Sequence, residues 1–275
     1  KKKIASPDLY LKSLQKNNNF TDLYNKKIPI PFTIGNISFD FAKFSLPKLK
    51  YDMTKSEINI PLAHFVKPKN LIIIDNISNE THLIEFSINK NKNKTKLSKI
   101  EDLLLSTPKQ NKKNLFIKPS IFKKHMSKNI FFEKVNNLKK EIINGEIFQA
   151  VLSQRFSAKY EIDPFKFYRA LRSINPSPYL VFLNLKKYQI ICSSPETMIN
   201  VKNKKVTLRP IAGTRKRGKN HNEDIQLRND LLNDTKELAE HLMLVDLGRN
   251  DVGQISKKGT VNVTEKNIIE YYSHV

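Results

Sequence analysis

Phe131, Val135, Leu138 and Ile142 stand four, three and four residues apart, a period that suits one face of a helix and no strand. Asn144-Gly145 supplies the stop, because glycine adopts the left-handed conformation at a helix end without a steric penalty. Past that stop the period shortens. Residues 147–157 are a strand candidate, and 179–185, 189–192, 197–201 and 205–208 read as successive strands bounded by turn residues. Between them Asp163-Pro164 opens a second helix carrying Phe165, Tyr168 and Leu171. Asn175-Pro176-Ser177-Pro178 forces a turn, since two prolines fix φ and hold the residues before them extended. This half of the chain therefore mixes a meander of strands with helices.

Upstream the runs lean towards strand: 30–44, 71–75 and 81–88, each bounded by Pro, Asn or Gly. Residues 71–74 are continuously apolar, 81–86 alternate loosely and 76–80 supply a turn, so a hairpin is expected. Residues 89–127 are lysine-rich and poorly periodic apart from a short apolar stretch at 100–105. A boundary is placed near Lys118, dividing the chain into 1–118 and 119–275.

The 275 residues, 39% of them hydrophobic, suffice for one large or two smaller domains. Forty-nine basic residues against 26 acidic ones give a net charge of +23, which would ordinarily suggest nucleic acid or an anionic membrane. Most of the excess is lysine mixed with asparagine and isoleucine, as in 90–94 and 109–113. A nucleic-acid groove would interleave arginine and aromatics on one element, so the excess reads as solvated surface. The single cysteine, Cys192, allows no internal disulfide and no thiolate cluster, which fits a reducing, cytoplasmic compartment. No stretch approaches the ~20 apolar residues of a membrane span, and the first residues form no apolar signal region. Without an initiator methionine, the chain reads as a piece of something longer.

Chemistry concentrates at a few places. Glu237, Glu240 and His241 lie at i, i+3 and i+4 and so share a helical face, and the run 242–245 behind them is apolar all round, which predicts burial. A carboxylate carried into a buried helix must be paired, protonated or bound to a cation. Two acids one turn apart suit a hard divalent ion such as Mg²⁺; alternatively Glu237 is a surface residue and Glu240 pairs with Arg249 or a lysine. Asp246 and Asn250 most simply form a cap or ion pair. Ser194-Pro195-Glu196 sets an acid behind a proline just after an apolar strand, where it can project into a cleft as a general acid or merely sit in a solvated turn. Pro210-Ile211-Ala212-Gly213-Thr214-Arg215 can offer backbone N–H groups and a hydroxyl to a carboxylate, as a plain turn also could.

In order, Gly145-Glu-Ile-Phe-Gln149, Asn175-Pro-Ser-Pro-Tyr179, Ser194-Pro-Glu196, Pro210-Ile-Ala-Gly-Thr-Arg215 and the long run from Glu237 to Asp251 resemble the large subunit (component I) of anthranilate synthase, a family of chorismate-utilising enzymes. The match is strong from Phe131 to Val275 and weaker over residues 9–88. There Thr33-Ile34-Gly35-Asn36-Ile37 stands where relatives usually carry a Gly-Gly-Leu-Phe-Gly type of stretch.

The resemblance implies a truncated four-layer α/β/β/α chorismate-binding fold of α+β class. Residues 1–118 would be part of the family's N-terminal region and 119–275 the first half of its chorismate-binding domain. It also implies Mg²⁺ as cofactor, chorismate and ammonia as substrates, and a glutamine amidotransferase subunit (component II) as partner in a heterotetramer. Carried over by motif, Glu240 would ligate Mg²⁺ with Glu237 beside it, Glu196 would protonate the departing hydroxyl, and Gly213 and Thr214 would contact the substrate. Gln149 stands where water-using relatives carry a lysine base, and Ala212 where aminodeoxychorismate-forming relatives carry a lysine nucleophile. That pair favours anthranilate synthase over an aminodeoxychorismate synthase-like enzyme; the other alternative is a non-catalytic, basic nucleic-acid-binding remnant whose motifs are inherited but unused.

Asn175, Pro176, Tyr179 and Leu180 resemble part of the family's tryptophan feedback site. Leu180 and Val181 depart from the Met-Phe pair often found there, and the upstream Leu-Leu-Glu-Ser element is absent, which argues against feedback. The resemblance further implies that the catalytic histidine falls just beyond Val275, with His274 as its neighbour. A substrate-binding tyrosine and arginine and a second metal-binding glutamate would follow. The expectation is an inactive, poorly closed chain.

Overall fold

The computed structural model describes residues 33–46, 58, 60–86, 94–106 and 121–275. The chain divides into two compact units, Lys1–Lys113 and Asn114–Val275. Lys118 lies outside the described residues, as do the lysine runs at 90–93 and 109–113.

In the first unit, strand β1 (Ile34–Ile37) pairs antiparallel with β2 (Ala63–Val66), and Gly35 stands opposite Phe65. A Cβ on Gly35 would come within 2.1 Å of the His64 carbonyl oxygen, so this pairing admits only glycine. The expected hairpin is present: β3 (Asn70–Asp75) and β4 (Glu80–Glu85) pair from Asn70↔Glu85 to Asp75↔Glu80. Asp75 closes its turn, its Oδ1 accepting the N–H groups of Ile77 at 2.8 Å and Ser78 at 3.2 Å.

Two expectations for this unit are corrected. Residues 39–41 form a 3₁₀ turn running into helix α1 (Ala42–Ser45), so the run 30–44 is not strand throughout. The Phe41 and Phe44 rings meet at 5.2 Å; residues three apart share a helical face but point to opposite sides of a strand. The lysine-rich segment likewise contains helix α2 (Lys94–Leu105), which packs against β4. Lysine and leucine are good helix formers, and propensity prevailed there over weak periodicity.

In the second unit, helix α3 (Lys128–Ile143) covers the predicted span, with the Ser127 hydroxyl capping the Ile130 N–H at 3.3 Å and Gly145 at φ +79° past its end. Of the strand expected at 147–157, only β6 (Phe156–Ser157) forms, paired with β5 (Lys123–Lys124). Side chains hold part of the rest: Gln154 Nε2 donates to the Met126 carbonyl at 3.0 Å, and Arg155 Nη2 meets His125 Nδ1 at 3.0 Å.

Helix α4 (Pro164–Ile174) starts where predicted, Asp163 accepting the Lys166 N–H at 2.9 Å. Its Phe165 and Tyr168 rings pack on Phe182 of the hairpin β7 (Tyr179–Asn184) and β8 (Gln189–Ser194), at 5.4 and 5.8 Å. Strands β9 (Asn200–Lys202) and β10 (Lys205–Thr207) turn through Asn203 and Lys204, both at positive φ. The strand expected to begin at 197 thus begins at Asn200. Two helices follow, α5 (His221–Asn233) and α6 (Thr235–Gly253).

Among the described residues every sheet has two strands, and Leu185 is the one buried hydrophobic residue. The run 242–245 is therefore not buried: Leu242 is 44% exposed and Met243 to Val245 are half-buried. A run apolar on all sides needs cover on all sides, and the cover described for α6, its contact with α5 included, leaves Leu242 exposed. No described helix is long and apolar enough to cross a membrane.

Candidate active site

Asp234 ends α5 and caps α6, its Oδ1 accepting the N–H groups of Lys236 and Glu237, each at 3.1 Å. Arg215 binds the same residue, donating from Nη2 to Asp234 Oδ2 at 2.8 Å while its Nε donates to Asp230 at 2.6 Å. One arginine thereby joins the 210–215 loop to the helix that carries the candidate metal ligands. The backbone bond from Glu237, then the Arg215 guanidinium, hold the Asp234 carboxyl below its ordinary range.

That joint brings Glu237 against Gly213. A Cβ on Gly213 would lie 2.8 Å from Glu237 Oε2 and 2.7 Å from Leu231 Cδ1, so glycine is what permits the approach. From the other side, Glu196 Oε1 accepts the Ile211 N–H at 3.4 Å, a long bond that places the carboxyl beside the same loop. Gln149, 91 residues upstream, donates from Nε2 to Glu240 Oε1 at 3.0 Å. Arg249 pairs with Asp246 at 3.3 Å, so it is not the partner of Glu240.

The predicted residues thus assemble in two linked groups. Glu196, Gly213, Thr214 and Glu237 gather at the 210–215 loop, and Gln149 meets Glu240 one helical turn along α6. A cavity of 570 Å³ is lined by Gly213, Thr214, Glu237 and His241, with Tyr179, Pro195 and Thr197 from the hairpin side. Glu196, Gln149 and Glu240 are not among its lining residues.

Around the turn at Asn175, the Ser193 hydroxyl donates to the Asn175 carbonyl at 2.7 Å and the Tyr179 hydroxyl meets Thr197 Oγ1. Both contacts tie the proline turn to the edge of the hairpin, a structural task that needs no ligand.

Sequence reasoning missed Arg217 and Asp224. The Arg217 guanidinium donates to Asp224 from Nε at 3.1 and 3.2 Å and from Nη2 at 2.5 Å, and the Gly218 N–H adds a bond at 2.6 Å. Arg217, followed by the Gly218 N–H, lowers the Asp224 carboxyl from 3.8 to about 2. A carboxyl with a lowered folded-state pKa contributes stability that is complete above its unfolded value and is lost as pH falls through its folded value. The expected result is a thermal midpoint that drops between about pH 4 and pH 2, with Asp224→Asn flattening that drop; circular dichroism melts across the range measure it.

Residues 5–275 match the family model described as chorismate binding enzyme. The match covers more than half of the chain, and the chain belongs to the chorismate-binding enzymes. Within it, the chain is 36% identical over 260 residues to the anthranilate synthase alpha subunit 2 of Arabidopsis thaliana, covering 88% of this chain and 42% of the relative. It is 38% identical over 257 residues to anthranilate synthase component 1 of Acetivibrio thermocellus, covering 88% of this chain and 51% of the relative. The crystal structure of anthranilate synthase component I from Streptococcus pneumoniae TIGR4 superposes with a TM-score of 0.78 at 35% identity, over 98% of this chain and 60% of that one. The chain spans about half the length of these curated relatives.

Proposed function

We propose that this chain is the N-terminal portion of an anthranilate synthase component I. Completed by the remainder, it converts chorismate and ammonia to anthranilate, pyruvate and water. The observation that carries this reading is the loop 210–215 held between Glu196 and Glu237, with alanine at 212 and glutamine at 149. Gly213 and Thr214 present the loop to the substrate. As ammonia bonds to the ring carbon and the 4-hydroxyl leaves, Glu196 delivers the proton that makes the departing group water. Ala212 has no group able to attack the ring, and neutral Gln149 cannot deprotonate water, so the external amine is the nucleophile.

A carboxylate-only donor set suits Mg²⁺, which binds through one or two protein carboxylates and keeps its other positions for water and an anion. Among the described residues no cluster of three acidic, histidine or cysteine ligands exists, so Glu240 and Glu237 would hold it with water and substrate completing the shell. When bound, the ion supplies charge neutralisation between these acids and the chorismate carboxylates. Gln149 fixes one Glu240 oxygen and leaves the other available. The relatives are named as component 1 of an anthranilate synthase, which fits a second, amidotransferase subunit as the ammonia source, and the lone thiol of Cys192 fits a reducing cytoplasm.

The test is anthranilate fluorescence with chorismate, Mg²⁺ and an ammonium salt. The 275-residue chain alone is expected to be silent, and the chain joined to the remaining part of the Streptococcus pneumoniae protein to turn over. Robust turnover by the chain alone would refute the half-enzyme reading. An aminodeoxychorismate product from the joined chain, or none, would overturn the assignment of the reaction.

A further inference from the structure

The residues from Val261 to Val275 lie outside any helix or strand. Among the described residues their one backbone hydrogen bond is from the Tyr272 N–H to the Val275 carbonyl, at 2.8 Å. Side chains must therefore place this segment, and two arginines do so. Arg209 forms an ion pair with Glu270, whose Oε2 also accepts the Tyr272 hydroxyl at 2.5 Å. Arg217 donates from Nη1 to the Tyr272 carbonyl at 2.5 Å, and its guanidinium carbon lies 5.3 Å from the centre of the Tyr271 ring. Arg217 is itself fixed by Asp224 in the first turn of α5.

Arg209 and Arg217 flank the 210–215 loop on either side in sequence. The loop forms one wall of the 570 Å³ cavity, and the segment 268–272 with His274 forms another. We infer that Arg209 and Arg217 are a clamp of positioning residues that sets the spacing between the substrate loop and the segment bearing His274. The substrate side of this inference rests on the function proposed above; the clamp itself does not. An arginine is required at 217 because one group must bind a carboxylate, a carbonyl and a ring face together, which a lysine ammonium cannot do. At 209 a single ion pair is made, so lysine should serve.

The experiment is hydrogen exchange by mass spectrometry on the full 275-residue chain, with no substrate present. Arg217→Lys and Arg209→Gln are each expected to speed exchange of the Tyr272 amide, the one amide of 268–275 held by a backbone hydrogen bond, by about tenfold, read in the 268–275 peptide, while the β7–β8 hairpin keeps its rate. Arg209→Lys restores the parental rate. The His274 imidazole proton resonance is expected to stand off its random-coil position in the parent and to move towards it in the two impaired variants only. Unchanged exchange at 268–275 in both variants overturns the clamp. Uniform acceleration that includes the hairpin overturns it equally, by showing a general structural role. Because no chorismate enters the measurement, failure of the proposed reaction would leave these outcomes intact, and the reverse holds too.

Discussion

Glu196→Gln, introduced into the chain joined to the remaining portion of its Streptococcus pneumoniae relative, lowers kcat by about 10²–10⁴-fold, the usual range for a lost general acid. The amide keeps the shape of the side chain and can still accept the Ile211 N–H, so the loop stays in place and KM for chorismate moves far less than kcat. A loss confined to kcat marks an interaction made in the transition state, whereas a matched rise in KM would mark ground-state binding. The measurement is initial anthranilate fluorescence against chorismate concentration at saturating ammonium. A variant with the parental kcat would remove Glu196 from the proton-transfer role and leave it as a support for the loop.

How much of this could be read from residues alone varies along the chain with the kind of signal. Helices α3 and α4 were legible because apolar spacing and local punctuation agree: Asn144-Gly145 ends the first, with Gly145 at positive φ, and Asp163-Pro164 opens the second, with Asp163 as its cap. The β3–β4 hairpin was legible for the same reason, its turn being built by Asp75 and its neighbours. Helix α5 gave no periodic signal, since it is mostly polar and is anchored by the Asn220 side chain at its start and by Arg217 on Asp224. Those contacts depend on where the 215–218 segment runs, which no local pattern encodes. The strand expected at 147–157 failed through its partner, since two residues of pairing with Lys123–Lys124 are all that the described chain offers it.

The site shows the same division. Glu237 and Glu240 fall on one helical face by spacing alone, but that Glu240 meets Gln149 rather than Arg249 is a tertiary fact over 91 residues. The motifs located the acids, the loop and Arg215, but not the other two arginines that hold the site. Arg215 was only the end of the loop motif, and Arg217 and Arg209 carried no signal of their own in sequence. In the structure each has an acidic partner, Asp234, Asp224 and Glu270 respectively. The net charge of +23 is thus a poor guide to these positions, because it is a sum over the chain and does not say which basic residues are paired.

Gly213→Ala and Gly218→Ala are expected to separate function from stability within one short segment. At Gly218 the atoms that a methyl would meet include the Asp224 amide nitrogen at 2.5 Å and the Glu223 carbonyl carbon at 2.8 Å. Backbone cannot yield without opening the first turn of α5, so overpacking should cost about 1–3 kcal/mol, and the Gly218 N–H bond to Asp224 is strained with it. At Gly213 the nearest atoms are the ends of two flexible side chains, Leu231 Cδ1 at 2.7 Å and Glu237 Oε2 at 2.8 Å, with Glu237 Cβ next at 3.0 Å. The cheapest relaxation there swings the Glu237 carboxylate away from the loop, sparing the fold but displacing a candidate ligand. A shift of about 1 Å at such a group can cost on the order of 10²-fold in rate. Urea unfolding followed by circular dichroism should therefore show the larger drop in midpoint for Gly218→Ala. In the joined enzyme, Gly213→Ala should show the larger loss of kcat/KM relative to its loss of stability. If the two variants fall together on both measures, Glu237 is packed against Gly213 for structural reasons alone, and its place in the site is lost.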